Sequence, residues 1–277
     1  MNEMKEEPYT VIEPRRNWSL INIRELIHYR ELLYFLTWRD IKVRYRQAVL
    51  GAAWAILQPI LYMVVFSIFL GKLVKMPSEG IPYSIFVFAG LLPWLFFSNA
   101  VSSAGQSLVG SSHLITKVYF PRIFIPTAKI VTTLLDFMVS TLVIFIMLPF
   151  YDMALTWNIF LLLVLIFLTL LCAIGVGSFL SALNVEYRDF QYVTPFMIQI
   201  WMFCSPVVYP VSIVPERWRW VLTLNPMTGI IDGYRAAFLG KAIDWEGLGI
   251  SGVTVVLIFI IGLSYFMKVE ERFADII

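Results

Sequence analysis

The sequence is poor in the residues that do chemistry. Of 277 residues, two are cysteine and two are histidine, and charged side chains make up only 14%. Cys172 and Cys204 both fall in apolar runs without metal-ligand spacing. No disulfide framework or metal site is expected, and both are read as packing residues. No glycine-rich loop ends in Gly-Lys-Ser/Thr, so the chain lacks that cradle for ATP phosphates. His-Glu-x-x-His and Gly-x-Ser-x-Gly are missing too. No carboxylate pair gathers within an apolar run, so no catalytic residue is expected. The first forty residues are charged and hold no short apolar stretch with a small-residue cleavage site, so no signal peptide is expected.

Apolar residues are what the chain has in abundance. They make up 59% of it, and the mean hydropathy is +0.78. A soluble domain has about 45–50% apolar residues. The excess lies in continuous runs, each near the roughly 20 residues a hydrocarbon layer demands. Backbone groups in lipid must be satisfied within the segment, and unbroken rather than alternating runs mean helices. Six spans are predicted, over 50–70, 83–105, 124–148, 157–183, 193–214 and 250–267. Gly90 and Pro93 should kink the second, and Pro206 and Pro210 interrupt the fifth. The fold class is an all-α polytopic membrane protein with one transmembrane domain. Residues 1–22 read as a polar tail.

Residues 23–47 form a charged amphipathic segment. Tyr34, Trp38, Ile41 and Tyr45 recur at helical spacing, with Arg39, Lys42 and Arg46 on another face. Such a helix lies in a membrane interface. Between the fifth and sixth spans, 215–248 holds two short amphipathic stretches, 218–224 and 227–239. Asn225-Pro226 fits an N-cap with proline at the first helical position, and Gly240 fits the stop. Each is too short to span, so a re-entrant or gate pair is expected. Lys and Arg number fourteen in the segments on the N-terminal side and six in the others, which places both termini in the cytoplasm. Lys129 and Asp136 lie within the third span. They stand seven residues, roughly 10 Å, apart and cannot pair with each other. Lys129 is expected to snorkel and Asp136 to bond across a helix interface. On span two, Asn99, Ser102, Ser103, Gln106 and Ser107 make a polar stripe that must face protein or water.

The run Trp38-Arg39-Asp40-Ile41-Lys42-Val43-Arg44-Tyr45-Arg46-Gln47, with Leu50-Gly51, Trp54 and Pro59, resembles the N-terminal signature of type-2 ABC exporter permeases. The branch it resembles exports O-antigen, capsule and teichoic-acid polymers. Leu114-Ile115-x-Lys117-Val118-x-Phe120-Pro121-Arg122 and Asn184-Val185-x-x-Arg188-Asp189 look like the family's two cytoplasmic loops. Ser205-Pro206-Val207-x-Tyr209-Pro210 and Leu224-Asn225-Pro226 look like its outer gate region.

The resemblance implies a homodimer in the bacterial cytoplasmic (inner) membrane. Two separate ABC ATPase subunits would carry ATP and Mg, with no cofactor on this chain. The substrate would be a lipid-linked polysaccharide, with membrane lipids around it and no nucleic-acid partner. Coupling to the ATPase would fall to His113, Leu114, Lys117, Pro121, Arg122, Glu186, Arg188 and Asp189. Arg39, Lys42, Arg44 and Arg46 would meet the lipid headgroup. Trp54, Gln58, Tyr62, Asn99, Ser103, Gln106, Gln199 and Trp201 would line the path. Pro206, Tyr209, Pro210, Trp218, Asn225, Pro226 and Arg235 would form the outer gate. An exporter of drugs or small lipids, a polyprenyl-linked glycosyltransferase and a passive scaffold are the competing readings.

Overall fold

The computed structural model describes residues 27–46, 51–115, 117, 120–270 and 272–273. The tail 1–22, the start of the interfacial segment, and Gln47, Leu50 and Val118 of the motifs lie outside the described residues. Every regular element among the described residues is helical. Helix α1 is Arg30–Arg46, and α2 is Gly51–Phe66, continued by a π-helical stretch Ser67–Leu73. Then come α3 (Tyr83–Gly105), α4 (Phe124–Phe150), α5 (Leu161–Glu186, after a 3₁₀ turn Trp157–Phe160) and α6 (Phe190–Phe203). The chain ends with α7 (Glu216–Leu224), α8 (Pro226–Leu239) and α9 (Trp245–Glu270).

Five helical stretches are long and apolar enough to cross a membrane: Ala53–Leu73, Tyr83–Gly105, Phe124–Phe150, Trp157–Glu186 and Trp245–Glu270. These match the expected first, second, third, fourth and sixth runs. The last begins five residues before the predicted 250. The predicted run 193–214 overlaps the 14-residue α6, which starts ahead of it at Phe190 and is about 21 Å long, followed by turns at Cys204–Val207 that carry Pro206.

The helices pack around α3. In its most apolar stretch 83% of residues are buried, against 6% for α2, so α3 is central and α2 packs on α3 and α4 by one face only. Two apolar clusters divide the molecule. The larger joins α3, α4, α5 and α8. The smaller sits at the end that bears α1. It combines Leu36 of α1, Ile115, Phe120 and Ile123 of the α3–α4 loop, Val185 at the end of α5, and Phe266, Val269 and Phe273 at the end of α9.

Helices α5 and α9 touch backbone to backbone. A Cβ on Gly175 would lie 2.7 Å from Phe259 Cα, so only glycine allows the crossing. Asn225 caps α8 by accepting from Met227 N at 3.0 Å, with proline at the helix start. Gly240 stops it at φ 68, a left-handed conformation that suits glycine. Helix α8 is buried nearly all round. Its Tyr234 ring meets Phe137, near the middle of α4, at 6.0 Å, and its Phe238 meets Phe145 at 5.9 Å.

Candidate functional site: two loops at one end and a turn around a buried arginine at the other

Helix α1 carries Asp40 within a basic run, and that acid decides how the helix sits. Leu36, Thr37 and Asp40 face the protein, whereas Tyr34 and Trp38 are exposed. The expected apolar face is therefore split: Tyr34 and Trp38 point outward, and Ile41 and Tyr45 are half-buried. Asp40 receives Lys129 of α4 at 2.9 Å and Arg39 at 3.0 Å. Asp136 of α4 pairs with Arg44 and accepts from the Tyr45 hydroxyl at 2.5 Å. Burial, with help from the Asp136 carboxylate, pushes the Tyr45 phenol up to about 12, so it remains a donor near neutrality. Asp136 thus bonds across a helix interface as expected. Lys129 ends on Asp40 of α1. Of the four basic residues expected at a headgroup, Arg44 is spent on Asp136 and Arg39 on Asp40, and Lys42 and Arg46 are exposed.

The two loops at the α1 end sort into exposed and internal residues. His113, Lys117, Arg188 and Asp189 are exposed, and so is Tyr187, which the motifs did not single out. Pro121 is buried, and Leu114, Arg122 and Glu186 are half-buried. The half-buried members tie the loops to α9. Arg122 N donates to Glu270 Oε1 at 2.9 Å, and its guanidinium donates to the Glu270 carbonyl. The Tyr265 hydroxyl donates to Glu186 Oε2 at 2.7 Å. Asn184 Nδ2 donates to the Gly105 carbonyl at 2.6 Å, joining the ends of α5 and α3. Sequence reasoning missed Glu270 and Tyr265, because their partners are about 80 to 150 residues away and no local pattern marks them.

On α3 the polar stripe breaks the burial of the helix. Asn99 and Gln106 are exposed, Ser102 and Ser103 half-buried, and Ser107 buried with its hydroxyl on the Ala104 carbonyl at 2.6 Å. On α2, Trp54 and Tyr62 are exposed and Gln58 half-buried. Gln199 on α6 is exposed, with Phe196, Met197, Ile200 and Phe203 around it. Trp201 is drawn inward instead. Its ring packs edge-on against Phe97 at 5.0 Å, and its indole donates to Asn225 at 3.0 Å.

At the opposite end the turn after α6 wraps a buried cation. Arg235 of α8 has no exposed surface. Its Nη2 donates to the Val207 carbonyl at 2.7 Å, and its guanidinium lies 3.8 Å from the Phe86 ring centre. Gly90 makes room, since a Cβ there would lie 2.6 Å from the Val207 oxygen. The Tyr83 hydroxyl donates to the Val208 carbonyl at 2.8 Å, and the Tyr209 hydroxyl to the Phe203 carbonyl at 3.1 Å. Pro206, Pro210 and Pro226 are buried. Asn225 Nδ2 donates to Cys204 O at 3.1 Å and to Ser205 Oγ at 2.8 Å. Only Trp218, with its neighbour Trp220, stays exposed. Nearby, Glu79 pairs with Lys241 and accepts from Ser212 at 3.0 Å. Burial favours the neutral acid, but the hydrogen bonds from Lys241 and Ser212 and the charges of Lys241 and Arg235 outweigh it, holding the Glu79 carboxyl below its usual range. The residues expected to gate are thus brought together, except Trp218.

The family model described as ABC-2 type transporter matches residues 31–239. The chain is 33% identical over 257 residues to the O-antigen export system permease protein RfbA of Myxococcus xanthus, covering 91% of this chain and 98% of that protein. It is 31% identical over 250 residues to the protein of the same name from Klebsiella pneumoniae, covering 89% and 95%. The polysialic acid transport protein KpsM of Escherichia coli is 25% identical over 253 residues, covering 84% and 91%. With a match that takes in α1, both loops and the Arg235 turn, the chain belongs to the ABC-2 type transporter family of membrane proteins.

Proposed function

We propose that this chain is the membrane subunit of an ATP-driven exporter for a lipid-linked polysaccharide of the O-antigen kind. Two copies would form the path, and two separate ABC ATPases would dock beneath the α1 end. The observation that carries the reading is identity of 31–33%, spread over nearly the whole chain, to proteins named as O-antigen export permeases. Three features of the geometry support it. Exposed charges on two loops stand on a tied base, as a surface that receives a push requires. Asn99 is exposed on an otherwise buried span, and Gln106 at its cap, where lipid is a poor neighbour for amides. The exposed faces of α2 and α6 await a second copy.

The crossing number in this reading is six. The ends of α5 and α9 share one cluster at the α1 end, while α9 starts near α8. The chain from 187 to 244 therefore returns across the membrane, with α6 and the Arg235-held turn as that crossing. Helix α8 dips to the depth of Phe137 as the re-entrant gate. Both termini lie in the cytoplasm, and the cell membrane is the bacterial inner one. ATP and Mg act on the partner, and this chain supplies path and gates.

The test is to delete the chain, score surface polysaccharide, and identify what co-purifies with a tagged copy. Loss of a surface polymer together with a stoichiometric ABC ATPase supports the reading. An ATPase with no polymer phenotype would point to a drug or small-lipid exporter. Sugar-nucleotide turnover by the isolated chain would replace transport with glycosyl transfer.

A further inference from the structure

Two ionisable residues within α4, Lys129 and Asp136, belong to neither loop nor path. Both face α1, where Asp40 meets Lys129 and Arg44 meets Asp136. The signs alternate along each helix: acid then base on α1, base then acid on α4. A one-turn slide of α1 in one direction sets Arg44 against Lys129. The opposite slide sets Asp40 against Asp136. Either slip exchanges attraction for repulsion, so the pattern selects a single register. Register choice is the best-attested use of shielded charge pairs, which add little net stability. The pairs are shielded enough to matter. The side chain of Asp40 is 8% exposed, Asp136 28%, Lys129 33% and Arg44 36%.

The register has a consequence for the rest of α1. Phe35, Arg39, Lys42 and Arg46, spaced i, i+4, i+7 and i+11, are all exposed. With Asp40 and Arg44 turned onto α4 and the Arg39 guanidinium folded back onto Asp40, Lys42 and Arg46 project outward. The α4 end of this contact also adjoins the first loop. Helix α4 begins two residues after Arg122, and Leu36 of α1 shares a cluster with Phe120, Ile123 and Phe124.

We propose that Lys129 and Asp136 are positioning residues that lock α1 in one register on α4. The lock keeps Lys42 and Arg46 toward anionic lipid headgroups and makes α1 move with the α3–α4 loop. This rests on the export reading for its purpose, but the register itself does not depend on cargo.

The test uses the permease–ATPase complex in lipid, with Cys204 replaced by serine and nitroxide labels on V43C and M138C, both exposed sites. Unswapped charges should give one narrow intramolecular distance. The pair swap Arg44→Asp with Asp136→Arg keeps every contact attractive but abolishes the alternation. It should add a second population about 5 Å away, one helical turn. Surface polymer should fall about tenfold while ATP hydrolysis stays within about twofold. The four-residue swap, adding Asp40→Lys and Lys129→Asp, restores alternation and should restore the single distance and the polymer. An unchanged single distance in the pair swap overturns the proposal, as does normal export from it. If the distances shift as expected but deletion of the chain leaves surface polymer intact, the export reading falls and the register stands.

Discussion

A guanidinium with no exposed surface sets the shape of the turn between α6 and α7. Arg235 reaches the Val207 carbonyl, and Gly90 leaves the space for both. Arg235→Ala leaves a cavity and an unanswered carbonyl, and is expected to cost about 3 kcal/mol or more. Thermal unfolding of the detergent-extracted complex measures it. Gly90→Ala should cost about 1–3 kcal/mol by overpacking, and the two losses should not add, since both displace the same oxygen. At Asn225, alanine removes the α8 cap and the Trp201 bond together. That variant should lose at least the roughly 1 kcal/mol of a helix cap, and the Trp201 fluorescence should change with it. Asn225 was legible in sequence because its capping is local. Arg235 was placed with the outer gate by the resemblance alone, and its burial was not legible. Its partners come from α3 and from a turn nearly thirty residues upstream.

At the scale of elements, ties between distant segments decide which loops act together. Both α1-end loops are fastened to α9, through Arg122–Glu270 and Tyr265–Glu186. Tyr265→Phe removes a hydrogen bond to a charged acceptor, a contribution of about 1.5–3 kcal/mol. It should lower ATP-coupled export more than it lowers the melting temperature, as parallel export and melting assays would reveal. The opposite end has its own tie, between the α2–α3 loop and the α8–α9 loop. Glu79 titrates below the ordinary glutamate value of 4.5. Its ionised form therefore stabilises the fold above that value, and the contribution fades as pH falls through the lower folded-state value. A melting series from neutral pH into the acid range should show a fall below about pH 4.5 that Glu79→Gln flattens. A flat wild-type curve would remove Glu79 from the account. Helix existence and most boundaries were readable from hydrophobic runs and caps. The run at 193–214 was the exception. Its apolar residues continue past the helix end, and only the turn around Arg235 explains where the helix stops.

For the whole molecule, the open question in any single copy is what covers its exposed spans. Helix α2 leaves one broad face exposed, and the polar stripe shows Asn99 and Gln106. In the assembled exporter, Gln106→Cys is expected to react with a water-soluble maleimide in a background lacking Cys204. Failure to label, with normal assembly, would place that face against protein. Cys172 is buried and should stay unreactive.

Composition and periodicity are enough for the helical class, the spans that stand as long apolar runs, the capped short helix and the two charged loops. Each rests on periodicity or composition over neighbouring residues. That Asp136 needs a partner is legible too, because a carboxylate in an apolar run does. Which partner it takes follows from how the helices pack. Asp40 and Arg44 meet Lys129 and Asp136, Glu270 and Tyr265 hold the loops, and Arg235 is sealed in carbonyls. These pairings join residues far apart in the chain, and side chains choose such partners only once the helices have packed.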